Sequence, residues 1–317
     1  KVRDLMADKR RLVEVPYTAS LAHTMNALVA NNVDWGRWVH DLGTGVVRKH
    51  YIGMATMLDI LVHIAGDDHM PGGGGGGGGV SDLDKKMSVP VSSVIGHCLE
   101  GLSLWTLSPS KSILDCMEVF SKGIHRALVP VDGQMDNVSG PELMESASSY
   151  RMLTQMDLVK FLKHHASDHP LKGILSRSVR DLGAANENVF AIGSRTRVID
   201  AIRCMREGLL NAVPIGKGKK LIGTFSATDL RGCHLSALET WLPLSALEFT
   251  EAVSSFPLFA DVPGALNTSS RELVTCYLES PLGEVLDKAV TKHVYRVWVV
   301  DHQCFLVGLV SLTDMVR

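Results

Sequence analysis

Gly308-Leu309-Val310-Ser311-Leu312-Thr313-Asp314 lies close to the C-terminal end of a 317-residue chain, and it has three echoes upstream. They read Gly53-Met54-Ala55-Thr56-Met57-Leu58-Asp59, then Met152-Leu153-Thr154-Gln155-Met156-Asp157 without the glycine, then Gly223-Thr224-Phe225-Ser226-Ala227-Thr228-Asp229. Each is a short apolar run followed by Ser/Thr-x-x-Asp. The run reads as a strand. Ser or Thr followed three residues later by Asp suits the entry of a helix, where both side chains take up free N–H groups. The aspartates are 98, 72 and 85 residues apart, so the four units are alike but carry insertions.

Outward from each copy the order also repeats. In the second unit Ile113, Met117 and Phe120 lie at i, i+4 and i+7 of a helix predicted from Ser112 to Lys122, and Ala127-Leu128-Val129-Pro130-Val131 follows as a strand. In the third, Val198, Ile202, Met205 and Leu209 form the stripe before Ala212-Val213-Pro214-Ile215. In the fourth, Leu282, Val285, Leu286 and Ala289 precede Arg296-Val297-Trp298-Val299-Val300-Asp301, and in the first the stripe is Leu21, Met25 and Leu28. Each unit therefore reads as β-α-β-β-α, an α/β (α+β) class. The first unit departs: after Val33 the chain runs Asp34-Trp35-Gly36-Arg37-Trp38 where a buried strand is expected, so that strand is expected to be deleted or its residues omitted. Gly72 to Gly79 is an unbroken glycine run and reads as flexible linker. It lacks the Lys-Ser/Thr and helix of a phosphate-cradling loop.

Composition limits the function classes. Hydrophobic residues are 45% and charged residues 21%, too apolar for a disordered chain. The 32 basic and 34 acidic residues give a net charge of -2, with no surplus for binding nucleic acid through phosphates. No run of about 18 apolar residues suggests a membrane span. Lys1 to Met6 has neither an initiator Met nor an apolar signal-like run, and reads as a trimmed start. The six cysteines (Cys98, Cys116, Cys204, Cys233, Cys276, Cys304) are scattered without C-x-x-C and read as reduced, buried thiols of a cytoplasmic and/or nuclear protein.

With four copies of the Asp signature in β-α-β-β-α units, the chain resembles four CBS (cystathionine-β-synthase type) repeats. The resemblance implies pairing into two Bateman modules: residues 1–175, with repeats at about 5–68 and 100–165, and 176–317, with repeats at about 178–235 and 271–317. The segment order is closest to the γ regulatory subunit of the AMP-activated and plant sucrose-nonfermenting-related protein kinase family. Gly123-Ile124-His125-Arg126 before a Val-Pro-Val strand carries that likeness, as does Arg296-Val297-Trp298 before the last Asp signature. Gly223 to Leu235, with Thr240-Trp241-Leu242-Pro243-Leu244 after it, is similar to the plant γ-1 type. The resemblance implies a non-catalytic subunit that assembles with catalytic α and scaffolding β subunits and binds AMP, ADP or ATP. It implies no other cofactor, no nucleic acid and no membrane partner. The alternative is a stand-alone CBS protein that binds adenosyl ligands and self-associates. An enzyme with an appended repeat pair would leave little chain for its catalytic domain.

A nucleotide site needs a carboxylate for the ribose hydroxyls, an apolar slot for adenine, and cations or N–H groups for phosphate. Asp59, Asp157, Asp229 and Asp314 are the ribose candidates, with Thr56, Thr154, Ser226 and Ser311 three residues earlier and Thr313 beside the last. His125 and Arg126 match the family's phosphate-contacting pair in the second repeat, and Arg296 matches its Arg in the fourth. Tyr295 stands where the His is common, and Asn211-Ala212 hold the equivalent place in the third repeat, with Lys122, Lys292 and His293 as substitute cations. For each Asp the bland reading is a plain helix cap, worth about 1 kcal/mol. His97-Cys98 has no partner that would make it a catalytic dyad, and His164-His165 with His169, or His302-x-Cys304, lack structural-zinc spacing. The stripe Leu230, Leu235, Leu238, Trp241, Leu242, Leu247 reads as repeat packing, with a partner-facing surface as the alternative.

Overall fold

The computed structural model describes residues 1–7, 9, 12–30, 37–42, 49–66, 80–98, 105–131, 150–232, 238–255 and 273–317. The glycine run lies outside them. Unit 1 contains β1 (Glu14–Pro16), α1 (Leu21–Ala30), β2 (Arg37–Leu42), β3 (Lys49–Ala55), α2 (Met57–Gly66) and α3 (Val80–Ser88). Unit 2 contains α4 (Ile113–Ser121), β4 (Arg126–Pro130), β5 (Tyr150–Thr154) and α5 (Gln155–His164), followed by α6 (His169–Leu175). Unit 3 contains β6 (Ile192–Gly193), α7 (Val198–Glu207), β7 (Ala212–Lys217) and β8 (Lys220–Ser226), with α8 (Leu238–Trp241) and α9 (Ala246–Ser255) after it. Unit 4 contains β9 (Thr275–Cys276), α10 (Leu282–Thr291), β10 (Arg296–Val300), β11 (Leu306–Ser311) and α11 (Leu312–Val316).

Each unit builds its sheet in the same way. The strand after the first helix is central, parallel to the leading strand and antiparallel to the strand that carries the Asp signature, in the orders β1-β2-β3, β6-β7-β8 and β9-β10-β11. In unit 2 the leading strand is reduced to a parallel bridge between Thr106 and Leu128, and β4 pairs with β5. Central strands are covered on both faces. That is why Ala212 to Ile215 and Val297 to Val300 are continuous apolar runs rather than alternations.

Two expectations need correction here. The central strand of unit 1 is present: Arg-Trp-Val-His-Asp-Leu pairs in parallel with β1 and antiparallel with β3, so backbone pairing fixed a strand that lacks the apolar signature. Leu209 does not extend the α7 stripe. It lies beyond the helix end at a φ of 51° and is 63% exposed, while Leu210 turns inward onto the core. Val198, Ile202 and Met205 are buried as expected, joined by Ala201.

The cores cross between the halves of the chain. One core combines unit 1 side chains such as Leu61 and Ile64 with unit 3 side chains such as Ile202, Met205 and Phe225. The other combines Phe120, Leu153 and Leu158 of unit 2 with Val285, Leu286 and Val310 of unit 4. Burying each such side chain stabilises by about 1.5–3 kcal/mol. The half-exposed Lys163–Asp287 ion pair at the same unit 2/unit 4 boundary is worth at most about 1 kcal/mol, so apolar contact holds the boundary. Sheet-side contacts join units 3 and 4 instead, through bridges Asn186–Leu309 and Lys220–Phe305 and the Trp298 Nε1 bond to Thr224 Oγ1 at 2.7 Å. Leu230 and Leu238 are buried in the first core, and Trp241, Leu242 and Leu247 pack against it. For these five the packing reading holds, and Leu235 lies outside the described residues.

Candidate functional site

The Ser/Thr-x-x-Asp turns form small hydrogen-bonded boxes. In unit 4, Ser311 donates to Asp314 Oδ2 from its N–H (2.9 Å) and its hydroxyl (2.5 Å), and Asp314 N–H returns a bond to Ser311 Oγ (3.3 Å). In unit 2, Thr154 donates to Asp157 Oδ2 from its N–H at 2.8 Å and its hydroxyl at 2.7 Å. In unit 1, Thr56 donates likewise to Asp59 Oδ2 at 2.7 and 2.5 Å, and Cys98 N–H adds a bond to Asp59 Oδ1 at 2.9 Å. Asp59 is fully buried with both oxygens engaged, and burial raises its pKa against the pull of those bonds. His97-Cys98 thus contributes a backbone donor to this box.

Unit 3 departs. Ser226 N–H reaches Asp229 Oδ2 at 2.7 Å, but the Ser226 hydroxyl turns to Thr228 Oγ1 at 2.5 Å. The reciprocal bond is not made, and Asp229–Gly232 is a 3-10 turn; residues 233–237 of the expected amphipathic run lie outside the described residues.

The strand starts opposite these boxes are equivalent. Arg126 opposes Thr154, Ala212 opposes Ser226, and Arg296 opposes Ser311. Immediately before them, the carbonyls of His125, Asn211 and Tyr295 accept from Gln155, Ala227 and Leu312 at 3.1, 2.9 and 3.1 Å. Two residues earlier again, Gly123, Leu209 and His293 all adopt positive φ, so the same tight turn recurs in three units. Lys122 is exposed and paired with Glu118, and Lys292 closes the end of α10.

The arginines do not stay with their own unit. Arg296 Nη1 donates to the Ala212 carbonyl of unit 3 at 3.1 Å, at the strand start where unit 3 has no cation of its own, directly across from Ser226. Arg126 Nη1 of unit 2 reaches Met54 Sδ of unit 1 at 3.7 Å, two residues before Thr56. The structure therefore brings Arg296 toward the Asp229 turn and Arg126 toward the Asp59 turn, and links Thr313 to unit 2 through a 2.9 Å bond from Gln155. Lys9 was missed by sequence reading. It ion-pairs with Asp157 Oδ2, and the only sequence signal was the basic run Lys9-Arg10-Arg11.

The remaining candidates are ordinary side chains of the fold. Cys116 and Cys276 are buried thiols whose pKa values are pushed up to about 12 and about 11, chiefly by burial. Cys98 and Cys204 are half-buried, Cys304 is exposed in a strand-connecting turn, contrary to the buried reading, and Cys233 lies outside the described residues. His165 bonds Asp168 at 3.1 Å, and His302 lies against Tyr277. Among the described residues no group of three His, Cys, Asp or Glu side chains is arranged to hold a metal ion, and no helix is long and apolar enough to cross a membrane.

A profile of the CBS domain matches residues 179–234 and 264–317. Over 350 aligned positions, the chain is 53% identical to the Arabidopsis thaliana protein named SNF1-related protein kinase regulatory subunit gamma-like PV42a, covering 99% of this chain and 93% of that protein. The chain belongs to the SNF1-related kinase gamma-like family. A second Arabidopsis thaliana member, gamma-like PV42b, is 51% identical, with 100% of this chain and 93% of that protein covered. A solved Methanocaldococcus jannaschii structure, described as a putative archaeal homolog of g-AMPK, superposes on 98% of this gamma-like chain and 97% of its own, with a TM-score of 0.65 and 16% identity. That likeness establishes the fold: this gamma-like chain has the CBS-domain architecture, and its four Asp turns occupy equivalent places in the four units.

Proposed function

We propose that this chain is a non-catalytic regulatory γ subunit of a heterotrimeric Ser/Thr protein kinase that works with catalytic α and scaffolding β subunits in energy and carbohydrate signalling. The named gamma-like relatives support the subunit role. We further propose that it binds an adenine nucleotide where a cation of one unit meets the Asp turn of its neighbour. The observation that carries this reading is Arg296 crossing to the Ala212 carbonyl opposite Ser226. A guanidinium is a planar fork of N–H donors suited to phosphate, and the bond to Ala212 sets where that fork stands beside the Asp229 turn. In this reading Ser226 and Asp229, the latter almost fully buried in its turn, are the hydroxyl and carboxylate assigned to ribose. Asp314 is a second carboxylate of the same kind: its box uses Oδ2, and among the described residues it makes no ion pair. Asp59 already accepts from Thr56 and Cys98 through both oxygens, which supports reading it as a structural carboxylate. The sheet-side contacts between units 3 and 4, and the Arg126–Met54 contact between units 1 and 2, support modules at 1–175 and 176–317. The reading places the chain in the cytoplasm and/or nucleus.

Calorimetric titration of the full chain with AMP, ADP and ATP tests the sensing role. Arg296→Gln is expected to weaken binding by roughly tenfold to a hundredfold, the range for losing a charge-assisted hydrogen bond of about 1.5–3 kcal/mol. No binding to the wild type at millimolar nucleotide overturns nucleotide sensing. Failure to co-purify with α and β subunits overturns the subunit role.

A further inference from the structure

The first residues of the chain do not pack on the unit they precede in sequence. Val2–Leu5 forms a 3-10 turn with Val2 fully buried, and Leu5 and Met6 lie against the core shared by units 2 and 4. The turn is tied to unit 2 by Val2 N–H on the Lys111 carbonyl (2.9 Å) and Arg3 N–H on the Pro109 carbonyl (3.1 Å). A few residues on, the Lys9 ammonium makes an ion pair with Asp157 Oδ2, the oxygen that already accepts both bonds from Thr154. The Lys9 side chain is 23% exposed and that of Asp157 is 15% exposed, so the pair is largely withdrawn from solvent and its attraction is weakly screened. The matching carboxylate of unit 4, Asp314, sits in the same box, and among the described residues it carries no such cation.

We propose that the N-terminal strap is an internal seal on unit 2: Lys9 occupies the carboxylate that would otherwise accept the ribose hydroxyls of an adenine nucleotide, and displacing Lys9 opens one more nucleotide site. This rests on the nucleotide reading above and deepens it by assigning one unit a gated role. A ribose diol and an ammonium ion are competing donors to the same carboxylate. A cation supplied in cis by an anchored strap acts at high effective concentration, so it holds the position against a dilute ligand. The strap is fastened by buried Val2 at one end and by the ion pair at the other, so loss of the ion pair frees the Asp157 end without removing the apolar anchor.

The test compares full-length wild type, Lys9→Met and Lys9→Met/Asp157→Asn by AMP calorimetry, with circular dichroism to verify folding. Lys9→Met keeps the apolar stem and removes the charge. It is expected to bind one more equivalent of AMP than wild type, and the double variant is expected to lose that gain. Should Lys9→Met fail to fold, Lys9→Leu is put through the same comparison, since it also keeps an apolar side chain and removes both the charge and the donor. The same stoichiometry in the Lys9 variant and wild type overturns the seal and leaves the nucleotide reading standing. A gain that persists in the double variant overturns the assignment to Asp157. Absence of AMP binding in every form overturns the nucleotide reading and the seal together.

Discussion

Replacing Asp59 by alanine removes a fully buried carboxylate that accepts the Thr56 N–H and hydroxyl in the interior and the part-buried Cys98 N–H. The lost cap is worth about 1 kcal/mol. The Thr56 N–H left in the interior without this acceptor adds about 1–3 kcal/mol, and the part-buried Cys98 N–H adds less. Against this stands relief of burying a charge, the dominant cause of the raised pKa of Asp59. The net expectation for Asp59→Ala is a loss of about 2–4 kcal/mol. Asp314→Ala, which opens an equivalent but partly exposed box, should lose about 1 kcal/mol. Asp59→Asn should not rescue, because one amide oxygen can serve only one of the two backbone donors and the NH2 faces the other. Urea unfolding followed by circular dichroism at constant slope reads these differences as midpoint shifts. The pH dependence gives a second reading. Because the folded pKa lies above the ordinary 3.8, the native state holds more protons than the unfolded chain between those two values, and stability falls as pH rises through that window. The advantage of wild type over Asp59→Ala should therefore be smallest above the raised folded pKa, grow as pH falls through it, and level off below 3.8. Equal losses for Asp59→Ala and Asp314→Ala, or an advantage that grows toward high pH, would refute the assignment of Asp59 to the fold.

Leu209→Gly should stabilise by about 0.5–1 kcal/mol, since Leu209 sits at positive φ and 63% exposed where unit 2 has Gly123; thermal unfolding is the readout, and a destabilised variant contradicts the strain. Leu158→Ala, in the core shared by units 2 and 4, should lose about 2–5 kcal/mol, and amide exchange should quicken in α10 as well as α5. Exchange confined to unit 2 would show that the crossed core does not couple the halves.

The β-α-β-β-α order and the caps were legible because they depend on local chemistry. Ser112 caps α4 through a 3.0 Å bond from Asp115 N–H, and the α10 stripe Leu282, Val285, Leu286, Ala289 is buried as its spacing implies. What escaped was set by tertiary contact. Arg-Trp-Val-His-Asp-Leu has no strand signature, yet β1 and β3 hold it as the central strand of unit 1. The Ser226 hydroxyl pairs with Thr228 rather than with Asp229, a choice that motif spacing does not encode, and Asp229–Gly232 starts as a 3-10 turn. For the candidate site, the residue types were legible and their partners were not. The resemblance gives Arg296 as the Arg of the fourth repeat's pair, whereas its guanidinium extends to unit 3.

That exchange bears on how a ligand could regulate. A nucleotide shifts an equilibrium only by its difference in affinity between two arrangements. A site whose cation and carboxylate came from one rigid unit would bind alike however the units were disposed. A site that takes Arg296 from unit 4 and the Asp229 turn from unit 3 binds well only when those units hold their present register, fixed by the Asn186–Leu309 and Lys220–Phe305 bridges. The helical faces of units 3 and 4 are in turn buried against units 1 and 2. A shift at the unit 3/unit 4 seam would have to be taken up in both cores, and close-packed cores resist continuous deformation. The crossed cores thus make the whole chain, rather than one half of it, the element that a nucleotide would bias.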